Sequence, residues 1–142
     1  GLQLSEAELI NQLSGVYPEK RTQLPPTLAG MMDFISKRSA GDLARALSLL
    51  FDARQWLERA FAPYDVIALP TAAHLSFPMT QEEPADSADL TAIANVLGSP
   101  SISLPLPAKA CHLPAGLQLI GKRQHDHSLL QLATKLETVL RA

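Results

Sequence analysis

The groups in this sequence able to do chemistry are four histidines, one cysteine and a scatter of serines, lysines and carboxylates. His125-Asp126-His127 sets two imidazoles either side of a carboxylate, which can supply two metal ligands. Both rings fall at the start of a predicted helix with no further ligand cluster beside them, so a solvated helix start is the expected reading. Ser103, His74 and Asp65 would compose a serine–histidine–aspartate relay if folding brought them together. However, Asp65 and Ser103 lie in predicted strands, and no G-x-S-x-G turn exists to expose the serine. Cys111 is alone, in the irregular segment 109–113, which excludes an intrachain disulfide and makes an incidental thiol the expectation. Lys37, Lys109 and Lys122 stand in polar surroundings without a serine partner. No catalytic set and no metal set is legible in the spacing, and no cofactor is expected.

Binding groups are easier to nominate. Thr71 and His74 follow directly on a predicted strand, and loops after strands in open α/β sheets are where binding groups collect. They are candidate pocket walls. Asn95 closes a predicted helix, where it can bond a substrate or, as expected here, tie a loop through left-handed backbone geometry.

The elements that must position these groups centre on 95–121. Two apolar runs there, Ser101–Leu104 and Ala115–Ile120, are short, rich in Ile and Leu, and fenced by Gly and Pro. Such runs read as buried strands. Pro105 and Pro107 stop the first, because proline cannot donate to a ladder. A third strand is Asp65–Leu69, ended by Pro70. Strands near 65–70, 101–105 and 115–121 are therefore expected, with Gly116 and Gly121 where backbone turns or another segment comes close. The helix Ala88–Val96 between the first two argues a right-handed crossover. The link Pro105–Pro114 is too short for another crossover helix, so a mixed sheet flanked by helices, an α/β fold, is predicted.

Helices are read from periodicity. Ser5 and Glu8 make a capping box for a short opening helix that Gly15 ends, and a second helix runs from Thr27 to Ser36. The strongest pattern is 41–60, where Leu43, Leu47, Leu50, Ala53, Leu57 and Ala60 form an apolar stripe and Ser39 with Asp42 forms a capping box. This helix is expected to pack on the sheet. A closing helix, capped by Asp126, is expected to bury Leu129, Leu132, Leu136, Val139 and Leu140. The most buried positions should include Leu47, Leu50, Val66, Ile67, Ile102, Leu104, Leu117, Leu119 and Leu136.

The same stretches carry a resemblance. N-x-x-G-x-P-x-x-S-x-P at Asn95, Gly98, Pro100, Ser103 and Pro105, then P-x-G-L-Q-x-I-G from Pro114 to Gly121, resemble the C-terminal part of the amidase signature family. Tyr64–Thr71 is similar to that family's YDV-apolar-PT strand, and Asp126–Glu137 to its closing helix. The resemblance implies a partial amidase-signature fold over 39–142, preceded by helices and a connector over 1–38. It implies an intact parent that cleaves carboxylic amides through a serine acyl-enzyme, or supplies ammonia as an amidotransferase. The family's lysine and two serines come from a GGSSGG-like segment, which this sequence lacks; its seven glycines are scattered. A chain with no catalysis of its own is the expectation, the alternative being a non-catalytic domain that binds a protein or small molecule. Amidotransferase-type relatives place an acidic residue shortly before the Asn, which nominates Asp89 as a substrate contact beside its plain role as a helix N-cap.

Composition bounds the partners. At 142 residues the chain suits one domain, and its charged fraction of 18% is below the roughly 25% of an average soluble domain. A surface with few charges is expected to rest against something, either a second copy or a separate catalytic half. The net charge of −2 argues against nucleic acid and anionic membrane. No apolar run reaches bilayer length and no leader pattern opens the chain, so a cytoplasmic protein is expected. A small-molecule amide is the ligand expected of the intact parent.

Overall fold

A computed structural model of the protein describes residues 19–82, 84, 86–107 and 113–141, together with 8, 11 and 12. Most of the predicted opening helix, and Lys109 and Cys111, lie outside the described residues. The chain divides into two compact units, Gly1–Ala53 and Arg54–Ala142.

In the first unit a 3-10 turn at Arg21–Gln23 precedes helix α1, Pro26–Ser36. Pro26 is well placed at the first helical position, where the missing N–H has no partner to lose. α1 buries Ala29, Met32 and Ile35, and its Asp33 pairs with the guanidinium of Arg21. Helix α2, Ala40–Phe61, opens on the predicted capping box. Ser39 N–H donates to Asp42 Oδ2 at 3.0 Å, and Asp42 N–H donates back to Ser39 Oγ at 3.1 Å.

The α2 stripe is where periodicity misled. Leu47 is 56% exposed and Leu50 only half-buried, while Phe61, beyond the predicted end, is the buried residue of the helix. The last turns of α2, through Leu57 and Phe61, join the core of the second unit. An apolar stripe declares what a helix is able to bury, and burial also needs a neighbour.

The second unit holds strands β1 (Val66–Pro70), β2 (Ser101–Pro105) and β3 (Gly116–Gly121), with helix α3 (Asp89–Leu97) between β1 and β2 and helix α4 (Asp126–Arg141) last. The sheet order is β1-β3-β2 and both ladders are antiparallel. β1 and β2 thus point the same way, as a strand–helix–strand crossover requires, but β3 is inserted between them. The α/β class and all three strand positions match the expectation.

Side chains alternate across this sheet as the pleat dictates. Ile67, Leu69 and Ile120 meet Phe61, Ala94 and Leu97 on one face. Val66, Ile102, Leu104, Leu117 and Leu119 meet Leu129, Ala133, Leu136 and Leu140 on the other. Leu104 and Leu119 are buried as expected, whereas Val66, Ile67, Ile102, Leu117 and Leu136 are half-buried. On α4 the inward ridge is 129, 133, 136 and 140, which leaves Leu132 and Val139 exposed. α3 ends at Gly98, whose φ of 61° only glycine adopts freely. Its N–H donates to the carbonyl of Asn95.

Candidate functional site

β1 and β2 end side by side, with the first residue of β3 between them. Thr71 follows β1, and its N–H donates to the Gly116 carbonyl at 2.9 Å, extending the ladder by one bond. Ser103 lies in β2 on the same face. Thr71 Oγ1 and Ser103 Oγ approach to 2.5 Å across β3. They can do so only because Gly116 stands between them. A Cβ there would sit 2.5 Å from Thr71 Oγ1 and 2.7 Å from Ser103 Oγ.

This hydroxyl pair lies in a cleft of about 970 Å³ at the sheet's end. Leu69, Leu75, Phe77, Leu106 and Leu117 give the cleft an apolar wall, and Thr71, His74, Ser76, Ser87 and Ser103 supply its side-chain polar groups. No Lys, Arg, Asp or Glu lines it among the described residues. Concave, mostly apolar, with a few convergent polar groups, it has the makeup of a small-molecule site.

Thr71 and His74, the two residues nominated from loop position, both line the cleft. His74 Nε2 is 3.4 Å from Asp86 Oδ1, yet it makes no hydrogen bond among the described residues. The ring meets Phe77 edge-on, with centroids 5.9 Å apart. Asp89 and Asn95 stand exposed on α3 and do not line the cleft. Asp89 is the first residue of α3 rather than its N-cap; Ala88 takes that place, and no side chain caps it. Asn95 contributes its carbonyl to the helix end, while the left-handed residue there is Gly98.

The serine–histidine–aspartate relay is not assembled. Ser103 is bonded to Thr71, and Asp65 sits at the opposite end of β1, 3.4 Å from Lys122 Nζ. The two rings at the start of α4 are engaged separately. His125 Nδ1 lies 2.9 Å from the Arg123 carbonyl, and His127 Nε2 lies 2.9 Å from Gln131 Nε2.

Sequence reasoning missed Ser103 and Gly116 as partners of Thr71. The available signal was a hydroxyl and a glycine, each within an apolar run read as a strand. It missed Gln118 as well, a polar residue inside an apolar run, which is 3% exposed.

The PT turn of β1 thus meets the GLQLIG strand β3 at this cleft. The Amidase family model matches residues 8–130, and the chain belongs to that family. Its relatives include a glutamyl-tRNA(Gln) amidotransferase subunit of Alkaliphilus metalliredigens, 37% identical over 101 residues, covering 68% of this chain and 21% of that protein. A putative amidase, AmiC, of Mycobacterium leprae is 31% identical over 127 residues, covering 82% of this chain and 27% of the relative. The chain thus spans about a fifth to a quarter of the curated relatives it matches. Among solved structures, an amidase superposes with a TM-score of 0.84 at 23% identity, covering 98% of this chain and 34% of the other. A bacterial aryl acylamidase of the amidase signature family gives 0.69 at 21% identity, covering 90% and 30%. At these identities the structural likeness speaks for the fold. No helix among the described residues is long and apolar enough to cross a membrane.

Proposed function

We propose that this chain is the C-terminal portion of an amidase-family hydrolase, that it supplies one wall of the substrate pocket, and that it is not catalytic alone. In the intact enzyme a serine hydroxyl attacks the carboxamide carbon, the amine leaves with a proton, and water releases the acyl group. That sequence needs a nucleophile, a base and oxyanion donors in one place. The observation that carries the reading is a family match over 8–130 in a sequence without a GGSSGG-like segment. What this chain contributes is shape. Thr71 and His74 serve as pocket wall, and Asp89 and Asn95 act on substrate only where the intact pocket reaches over α3. The remaining catalytic part is the partner this reading requires.

The identity to a glutamyl-tRNA(Gln) amidotransferase component supports a second reading of the parent, as part of an amidotransferase. The wall's role is the same in both.

The test is to incubate the purified chain with aryl amides and a serine-directed fluorophosphonate probe. Neither turnover nor labelling is expected. Covalent labelling of a serine, with turnover lost when that serine becomes alanine, overturns the reading.

A further inference from the structure

A second, smaller pocket lies at the other end of the sheet from the Thr71–Ser103 pair. It holds about 260 Å³ and gathers the end of α2, the link from α3 to β2, and the turn after β3. Phe61 and Leu97, both buried, give it an apolar floor. Ser99, Glu58, Lys122 and Arg123 supply its polar wall.

The charges in this wall do not cancel. Glu58 is held by Arg54 at 2.9 Å, one turn back on α2. Lys122 Nζ reaches Asp65 at 3.4 Å, but the Asp65 side chain is 99% exposed, so water screens that pair and holds Lys122 loosely. The Arg123 guanidinium has no hydrogen bond or ion pair among the described residues. It lies over Gly98, with Nε 3.7 Å from where a Cβ there would stand. The turn under both cations is set in advance. Gln124 is held at a φ of 63°, His125 N–H donates to the Lys122 carbonyl at 3.1 Å, and His125 Nδ1 lies 2.9 Å from the Arg123 carbonyl. A ligand therefore orders little backbone when it arrives.

An unmatched cation above an apolar floor is complementary to an anion with an apolar body. We propose that this pocket binds a small organic monocarboxylate, its charge paired with Arg123 and Lys122 and its apolar body over Phe61 and Leu97. The planar fork of arginine meets a carboxylate through two parallel hydrogen bonds. Glu58 in the same wall opposes a second negative charge. The volume falls below the roughly 300–1,000 Å³ of drug-sized pockets, which limits the body to about one ring or a short alkyl chain. The length of β3, about 17 Å, separates this site from the cleft. The proposal does not rest on the amidase reading, and the fate of either leaves the other unchanged.

The experiment titrates benzoate, benzyl alcohol, acetate, phthalate and inorganic phosphate into the chain at fixed ionic strength, following backbone amide shifts by NMR. Benzoate is expected to shift Leu97, Ser99, Lys122 and Arg123 along one saturable curve. Benzyl alcohol lacks the charge, acetate lacks the body and phthalate adds a second charge. Each should bind at least about fivefold more weakly, the increment of one charge-assisted hydrogen bond or of a few buried methylenes. Arg123→Gln should weaken benzoate by a similar factor and leave benzyl alcohol unchanged. The proposal is overturned if benzoate does not saturate, if its shifts centre on Thr71 and Leu117 instead, or if Arg123→Gln binds it as the parent does. Phosphate binding as tightly as benzoate would also overturn it, as the mark of an adventitious ion only. Should Arg123→Gln fail to fold, the parent's choice between benzoate and benzyl alcohol decides the same point.

Discussion

The hydroxyls of Thr71, just past β1, and Ser103, on β2, touch across Gly116, the first residue of the middle strand, which has no side chain to part them. The contact ties the residue after β1 to the middle of β2, two strands that share no ladder of their own.

Gly116→Ala tests it directly. The added methyl group falls inside 3.0 Å of both oxygens, so one side chain must leave its rotamer or the strand must shift. Overpacking of this kind costs about 1–3 kcal/mol, read as a lower urea midpoint with the slope unchanged. Thr71→Ala should recover part of the loss, and a double-mutant cycle with no coupling would contradict the geometry.

Leu104→Ala and Leu47→Ala should separate sharply. Leu104 is 4% exposed in the core between sheet and α4, and losing it should cost about 2–5 kcal/mol. Leu47 is exposed, and its loss should lie within about 0.5 kcal/mol of the parent. Equal costs in chemical denaturation would refute this placing of the two leucines.

Asp42 should titrate below the ordinary aspartate range. Its side-chain hydrogen bond with Ser39 lowers the pKa most, followed by the backbone bond to Ser39, with Arg38 and Arg45 adding attraction. A carboxylate depressed in the fold contributes stability above its unfolded pKa of about 3.9, and that contribution is lost as pH falls through the folded value. A carboxyl titration by NMR should show the low midpoint, and Ser39→Ala should raise it. An unshifted midpoint would remove the capping box as its cause.

Leu47, Leu49, Phe51 and Trp56 on α2 are between 56% and 66% exposed. Apolar side chains gathered on one helix favour association, so light scattering across a dilution series should give a mass that climbs with concentration. Leu49→Glu with Phe51→Glu should return a monomer. A parent chain that is monomeric throughout would argue against this surface as a contact.

Much of this architecture was readable beforehand because prolines and glycines fence each strand. Pro70, Pro105 and Gly121 all end strands where punctuation predicted. Pairing was less legible, since three short apolar runs carry no mark of which one stands in the middle. α2 shows a different gap. Its 3.6-residue stripe is genuine, but which part is covered depends on neighbours that periodicity does not name. Thr71 and His74, nominated by loop position, line the cleft. Ser103 was read as a relay serine and Gly116 as a place of close approach, but their relation to Thr71 exists only once the register is set.

The middle position of β3 also sets an order of events at the ribosome. β1 and β2 both emerge before β3, and neither pairs with the other. Until Gly116–Gly121 leaves the exit tunnel, Ile67, Ile102 and Leu104 lack the ladder partner they have among the described strands. The sheet then closes in one step, on its last strand, by contacts distant in sequence, which are the slow kind to form. A nascent chain stalled before residue 116 exposes two unpaired apolar strands, the species that holdase chaperones bind and that aggregates when they are scarce.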